Sequence, residues 1–373
     1  MAQPGTDKLT INVLMRNIRI YYDRDLENRF PGQVCDRLPW AQCNPARFEP
    51  SSIEKTAAMD DCDFVVCSVF WGEPQNANPD IERLAAEAKR KNKRVVVFVL
   101  ADPAGPLNTA ADNLIIFRSS LNKSQQRPFE FVLPAFPDED ILKYGIPFSP
   151  FAWAEIPVVG FCGNVDNNAQ IKVPLKRFIK TQAYRHLLSN VRLDRALRAL
   201  GIHLTRHEGR RIRTQAIHLL SRSPQLRTNF IIRAAYHGGL FHRGIHDPDP
   251  QVRVSSQKDF CANVLDSHYT LACRGGGNFS RRLYETLALG RIPVFINTDS
   301  AMPYEEWVDW KPYCVWVEER DLTRLPRRIL EFHRSLSAEQ FAEKQRACRK
   351  FWEDWLSPRG YFQQFHRYLR PLL

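Results

Sequence analysis

The sequence predicts an α/β protein of two Rossmann-like domains followed by C-terminal helices. Three observations predict it. Short apolar runs of strand type alternate with amphipathic helical stretches in both halves, the pattern of parallel sheets with helices on their faces. The chain has 373 residues, too many for one typical core. Between the halves lies LPAFPDEDILKYGIPFSPFAWAEIP (Leu133–Pro157), whose prolines fix too many φ angles for one long helix, so it reads as a linker. The expected division is 1–150, 151–336 and 337–373, the last being helices that pack back on the domains.

In the first half, Thr10–Leu14 starts a strand and Phe64–Val69 (FVVCSV) is another. Asn78-Pro79 supplies an N-cap and an N1 proline for a helix to about Lys91, with Ile81, Leu84, Ala85 and Ala88 on its buried face. Val95–Leu100 (VVVFVL) is apolar without alternation, as a strand buried on both faces requires. Asn113–Phe117 and Phe129–Leu133 are shorter strands.

The second half opens with Val158–Cys162 and a Gly163-Asn164 turn. A basic, largely helical segment is expected from about Leu175 to Leu200, a charged loop at Arg206–Arg211, and a strand at Phe230–Ala234 with Arg233 near its end. GGLFHRGIHDPDPQ (Gly238–Gln251) is turn-rich. After the central stretch described next come a strand at Cys314–Val317 and a helix at Leu322–Leu336. Ser337 and Gln340 form a capping box for a helix of about Ala338–Trp355. A last helical piece is Tyr361–Leu369.

The most informative stretch runs from Ser267 to Trp310. Tyr269–Cys273 is a buried strand, and Arg274 leads into Gly275-Gly276-Gly277, where the chain can turn tightly and bring its N–H groups close to a ligand. Asn278 and Ser280 suit the N-cap of a helix Arg281–Leu289, and Gly290 suits its C′ position. Ile292–Ile296 is the next buried strand. A glycine turn feeding a helix N-terminus is a ready anion site. Arg274, Arg281 and Arg282 add positive charge there. Arg282, Glu285 and Leu289 share a helix face, placing a cation one turn from a carboxylate. A diphosphate and a ribose hydroxyl pair need that combination. An Arg–Glu pair on a solvated helix face accounts for the spacing equally well.

RGGGNFSRRLYETLALGRIPVFINTD, then MPYEEWVDW and CVWVEE, resembles the exostosin-type glycosyltransferases. The matching positions are Ser280, Arg282, Tyr284, Glu285, Leu287, Gly290, Ile292, Pro293, Val294, Asp309 and Trp310. Weaker similarity extends to Val158–Val165 and Asn229–Gly239. The resemblance implies a GT-B architecture, two Rossmann-like domains facing a cleft. It also implies an inverting transferase that moves a sugar from a nucleoside diphosphate sugar, UDP foremost, to a hydroxyl of a glycan or lipid-linked glycan.

Ligands of open α/β sheets bind off the C-terminal strand ends. That rule groups Gly163, Arg233, Arg274, Gly276, Asn278, Ser280, Arg282 and Glu285 as donor-binding candidates. Arg274, Arg282 and Arg233 would neutralise the leaving diphosphate, and Glu285 would bind the ribose. Asn278 and Ser280 would donate to phosphate or cap the helix. Inversion, implied by the resemblance, requires a base on the acceptor side. Asp102, directly after VVVFVL, and Glu73, in FWGEP, are equal candidates. Either could instead be a loop cap. Among the D-x-D triplets Asp247-Pro248-Asp249 is the one tempting metal candidate, but its two prolines make it a turn first, and His237, His242 and His246 lack metal-site spacing. No metal or other cofactor is expected. Trp307 and Trp310 could stack on a sugar or sit in a core.

The net charge is +12, which favours anionic partners. The densest basic cluster is TRHEGRRIR (Thr205–Arg213). No RNA-recognition motif, zinc finger or basic zipper is present, so nucleic acid is not the expected partner. A non-catalytic basic module that binds nucleotide or nucleic acid is the alternative reading. A phosphorylase would need a phosphate pocket or pyridoxal lysine, and no such motif is found. Nine cysteines without a C-x-x-C pair read as small core residues. No signal peptide or membrane span is read, so a cytoplasmic enzyme is expected, associating with the anionic inner membrane face.

Overall fold

The computed structural model describes residues 16–23, 25–26, 52–165, 204–233 and 250–373. They form two parallel sheets with helices on their faces, consistent with a GT-B-like arrangement. The first sheet contains β1 (Ile18–Tyr22), β2 (Ile53–Lys55), β3 (Phe64–Val66), β4 (Arg94–Val99), β5 (Leu114–Arg118) and β6 (Glu130–Val132). Its order is β2-β1-β3-β4-β5-β6. The strand expected at Thr10–Leu14 lies outside the described residues.

Helix α1 (Pro79–Arg90) forms where its signals place it. The Asn78 side chain accepts from the N–H groups of Asp80 and Ile81, and Ile81, Leu84, Ala85 and Ala88 are buried. They pack on Val95, Val97 and Val99. Val96 and Phe98 face the other way, against Tyr361, Phe362, Phe365 and Tyr368 at the C-terminus. Burying each such ring stabilises by roughly 1.5–3 kcal/mol. The aromatic cluster therefore ties the C-terminus to the first sheet more strongly than surface ion pairs could.

After β6, the linker passage contains one short helix, α2 (Glu139–Lys143). The second sheet contains β7 (Val158–Asn164), β8 (Arg227–Arg233), β9 (Tyr269–Ala272), β10 (Ile292–Asn297) and β11 (Val315–Glu318). Its order is β11-β10-β9-β7-β8. Gly163 and Asn164, expected as a turn, continue β7 instead, opposite Ile232 and Arg233 of β8.

Helix α3 (Leu204–Ser221) links β7 to β8, and α4 (Pro250–Leu265) links β8 to β9. Arg206–Arg211 is therefore helical and not a loop. Ile212, Ala216 and Leu220 recur every fourth residue and enter the core of the second sheet. The helix expected at Leu175–Leu200 lies outside the described residues. Helix α5 (Arg281–Ala288) ends at Gly290, whose φ is +65°. A 3₁₀ turn (Glu319–Arg324) and α6 (Leu325–Arg334) replace one longer helix. Helix α7 (Ala338–Phe351) carries the Ser337–Gln340 capping box and runs into a π turn at Trp352–Leu356. Helices α8 (Pro358–Gln363) and α9 (His366–Leu369) complete the chain's packing on the first sheet.

Candidate active site

Strand order in the second sheet reverses between β7 and β9. Such a switch point opens a crevice at the C-terminal strand ends. The glycine turn leaves β9 there. Its Gly275 N–H donates to Phe279 O at 3.1 Å. Among the described residues, the next two N–H groups, of Gly276 and Gly277, donate to no acceptor.

Arg282 reaches back under β7. Its Nη2 donates to Cys162 O at 2.5 Å, and its guanidinium lies 4.5 Å from the Phe161 ring centre. A Cβ on Gly163 would come within 2.8 Å of that Nη2, so Gly163 provides the room for it. The buried Arg282 Nε has no partner among the described residues. Burial, and then the nearby Arg213 charge, pull the guanidinium below its ordinary pKa. Arg213, on α3, is a site residue that the sequence shows only as the last member of the basic cluster TRHEGRRIR. Its Nε and Nη2 donate to Arg274 O at 3.2 and 3.0 Å, and its Nη1 donates to Asn164 O at 3.1 Å. The signal that could have found it is the four-residue apolar spacing from Ile212, which makes TRHEGRRIR one flank of a helix.

Glu285 is buried and pairs with Arg281, at 3.5 Å, and not with Arg282. Arg281 also binds Asp138 at 2.9 Å. Burial pushes the Glu285 carboxyl above the ordinary carboxylate range, with Arg281 and Arg282 pulling against it. A carboxyl raised on folding contributes stability below its unfolded pKa and loses it as pH rises through the folded pKa. Glu285→Gln is therefore expected to raise the melting temperature at neutral pH. A lower melting temperature would mean that the Arg281 pairing outweighs the burial.

The other candidates divide. Arg233 lies near Cys162, but its guanidinium is held on α4 by Ser256 (2.5 and 2.9 Å) and Asp259 (3.5 Å). Arg274 is buried, and its carbonyl is the one Arg213 holds. Ser280 takes the N-cap position of α5 without a side-chain capping bond. Asn278 is no cap and has no capacity for phosphate. Its Nδ2 donates to Asn122 Oδ1 and Asp299 O, while its Oδ1 accepts from Thr298 and Ser300 hydroxyls. Its backbone N–H donates to Ser120 Oγ. It is a tie between the two sheets, completed by an antiparallel bridge from Asn122 to Ser300 and by Ser124 Oγ donating to Asp299.

That tie brings the two sets of strand ends face to face. A Cβ on Gly276 would lie 2.5 Å from Asp102 Oδ2, and one on Gly277 would lie 2.6 Å from Asp102 O. Asp102 thus abuts the glycine turn. Glu73 is engaged locally: its Oε2 accepts from Asn76 Nδ2, and its carbonyl accepts from Trp71 Nε1 and the Asn76 N–H. Trp310 is a core residue, edge-on to Tyr284 and Phe351, and Asp309 caps the turn at Lys311. Trp307 is partly exposed and packs on Tyr304. Among the described residues no group of three His, Cys, Asp or Glu side chains could hold a metal ion. Asp247, Asp249, His237, His242 and His246 lie outside the described residues. The described cysteines are all free and buried.

Residues 221–332, which include the glycine turn and α5, match the family model of the Exostosin GT47 domain. The chain is similar to the exostosin family over this region. It is 30% identical over 105 residues to Exostosin-1 of Drosophila melanogaster, covering 28% of this chain and 13% of that protein. It is 30% identical over 93 residues to the Exostosin-1 homolog of Caenorhabditis elegans, covering 25% of this chain and 23% of that protein. The matched part is thus under a quarter of each relative's length. Arg233, Arg274, Gly276, Asn278, Ser280, Arg282 and Glu285 fall inside the exostosin-like region, whereas Asp102, Glu73 and Gly163 fall outside it.

Proposed function

We propose that this protein is an inverting glycosyltransferase that uses a nucleoside diphosphate sugar, UDP first, and needs no metal ion. The observation that carries the reading is the exostosin-like glycine turn and α5 at the switch point, where open glycine N–H groups stand with the Arg282 guanidinium at the ends of β7 and β9. The Gly276 and Gly277 N–H groups and Arg282 bind the diphosphate, and Glu285 binds the ribose. The acceptor hydroxyl oxygen attacks the anomeric carbon as the bond to the diphosphate breaks. Its proton passes to the Asp102 carboxylate. The departing negative charge is met by fixed donors, which need not reorganise during the reaction.

In this reading residues 1–150 form the acceptor side, 151–336 the donor side, and 337–373 the helices that join them. The acceptor is a glycan or lipid-linked glycan. The charge of +12 supports peripheral contact with an anionic membrane from the cytoplasm. No helix among the described residues is long and apolar enough to cross a membrane.

The test is thermal unfolding with UDP, GDP, ADP, TDP, CMP and uridine, with and without EDTA. A ligand at a hundred times its Kd stabilises the native state by about 2.7 kcal/mol. One diphosphate should raise the melting temperature selectively, with EDTA present. Arg282→Ala should weaken that diphosphate by about tenfold or more and leave uridine nearly unchanged, because only the phosphate loses a charge-assisted partner. No shift with any nucleotide, together with steeply salt-dependent binding of mixed nucleic acid, would overturn the transferase in favour of a basic binding module.

A further inference from the structure

The basic segment on α3 has no role in the chemistry above, yet it forms one wall of the donor turn. Arg213 bonds at once to the carbonyl ending β7, Asn164 O, and to the carbonyl leading out of β9, Arg274 O. One guanidinium therefore spans the two strands that flank the switch point. The Arg274–Gly275 peptide is fixed on both sides, its carbonyl by Arg213 and its N–H by Phe279 O. This fixation leaves Gly276 and Gly277 as the donors still open in the turn. Helix α3 lies so close that a Cβ on Gly209 would overlap the Gly275 carbonyl oxygen.

Among the described residues no carboxylate lies within ion-pair reach of Arg213 or Arg282. Two guanidinium groups are thus held near one another by carbonyl oxygens and an aromatic face. Their mutual repulsion is relieved when an anion arrives between the strand ends. We propose that Arg213 is a positioning residue for the donor diphosphate. It acts through the peptide it holds, orienting the Gly276 and Gly277 N–H groups, and it raises the local positive potential. The inference rests on the donor-site reading above and adds a device that the sequence motif does not contain.

The experiment compares full-length wild type, Arg213→Lys and Arg213→Gln in binding UDP, uridine and inorganic pyrophosphate, with melting temperature as the fold control. Arg213→Gln is expected to weaken UDP and pyrophosphate by about tenfold or more and uridine by less than about twofold. Arg213→Lys keeps the charge but replaces a fork by a point donor that cannot hold both strands, so its loss should be intermediate. Equal losses for UDP and uridine, or unchanged UDP binding in folded variants, would overturn the proposal. If Arg213→Gln does not fold, Arg213→Lys carries the same comparison. Wild type that binds neither UDP nor pyrophosphate would remove the donor site itself, and this inference with it. Wild type and both variants binding UDP alike would remove only the role of Arg213.

Discussion

Asp102→Asn is expected to lower sugar transfer by about a hundredfold or more, the range typical of a lost general base. The substitution keeps the shape of the side chain, so its contact with the Gly276 turn should survive. Donor affinity and melting temperature should therefore stay near wild type while turnover collapses. The expectation comes from how the loop is held. Arg118, at the end of β5, is almost fully buried, and its Nη2 donates to Pro103 O at 2.7 Å and to Gly105 O at 3.0 Å. Those bonds fix the residues just after Asp102. Glu130 stands 3.9 Å from the same guanidinium and balances part of its charge.

Glu73→Gln is the control. Its carboxylate accepts from Asn76 within a local turn, and the amide can still accept there, so only a small change in turnover is expected. Steady-state turnover with the sugar donor of whichever nucleotide the melting-temperature panel selects checks both variants. Near wild-type turnover in Asp102→Asn, or a large loss in Glu73→Gln, would reverse the assignment of the base.

What the sequence made legible follows from how local each signal is. Helix α1 could be read residue by residue, because Asn78, Pro79 and the apolar spacing lie within a few turns of one another. Helix α5 and its Gly290 cap were equally plain. The end of β7 was not. Gly163-Asn164 has turn chemistry, and only pairing with β8 keeps it extended. Helix α3 was hidden because its charged residues crowd its first half, whereas the apolar residues that dock it, Ile212, Ala216, Ile217, Leu219 and Leu220, come later. The pairing of Glu285 was misplaced by one residue. Helical spacing permits Arg281 or Arg282, and the choice was made by Phe161 and Cys162, which draw Arg282 under β7. Asn278 was legible as a polar residue near a helix start, but its partner Ser120 is 158 residues away.

Asn278→Ala is the second large expectation, and it separates a tie from a ligand. The side chain is 1% exposed, and all four of its hydrogen-bonding positions are filled by protein groups. Alanine would leave those groups buried without partners, each at a cost of about 1–3 kcal/mol before relaxation. Relaxation and water entry return part of that, so a net loss of about 3–5 kcal/mol in the first unfolding transition is expected. Ser124→Ala removes a bond to Asp299 at the exposed rim of the same contact, where about 1 kcal/mol or less is expected. The effects on function should differ as well. Arg282 and the open glycine N–H groups belong to the second sheet, so the affinity of Asn278→Ala for nucleoside diphosphate should stay within a few-fold of wild type. Turnover should fall much further, because the tie sets the position of Asp102 against the turn. A variant that lost diphosphate affinity while keeping its stability would return Asn278 to the donor site. A variant that lost stability with turnover intact would mean that Asp102 does not depend on the tie.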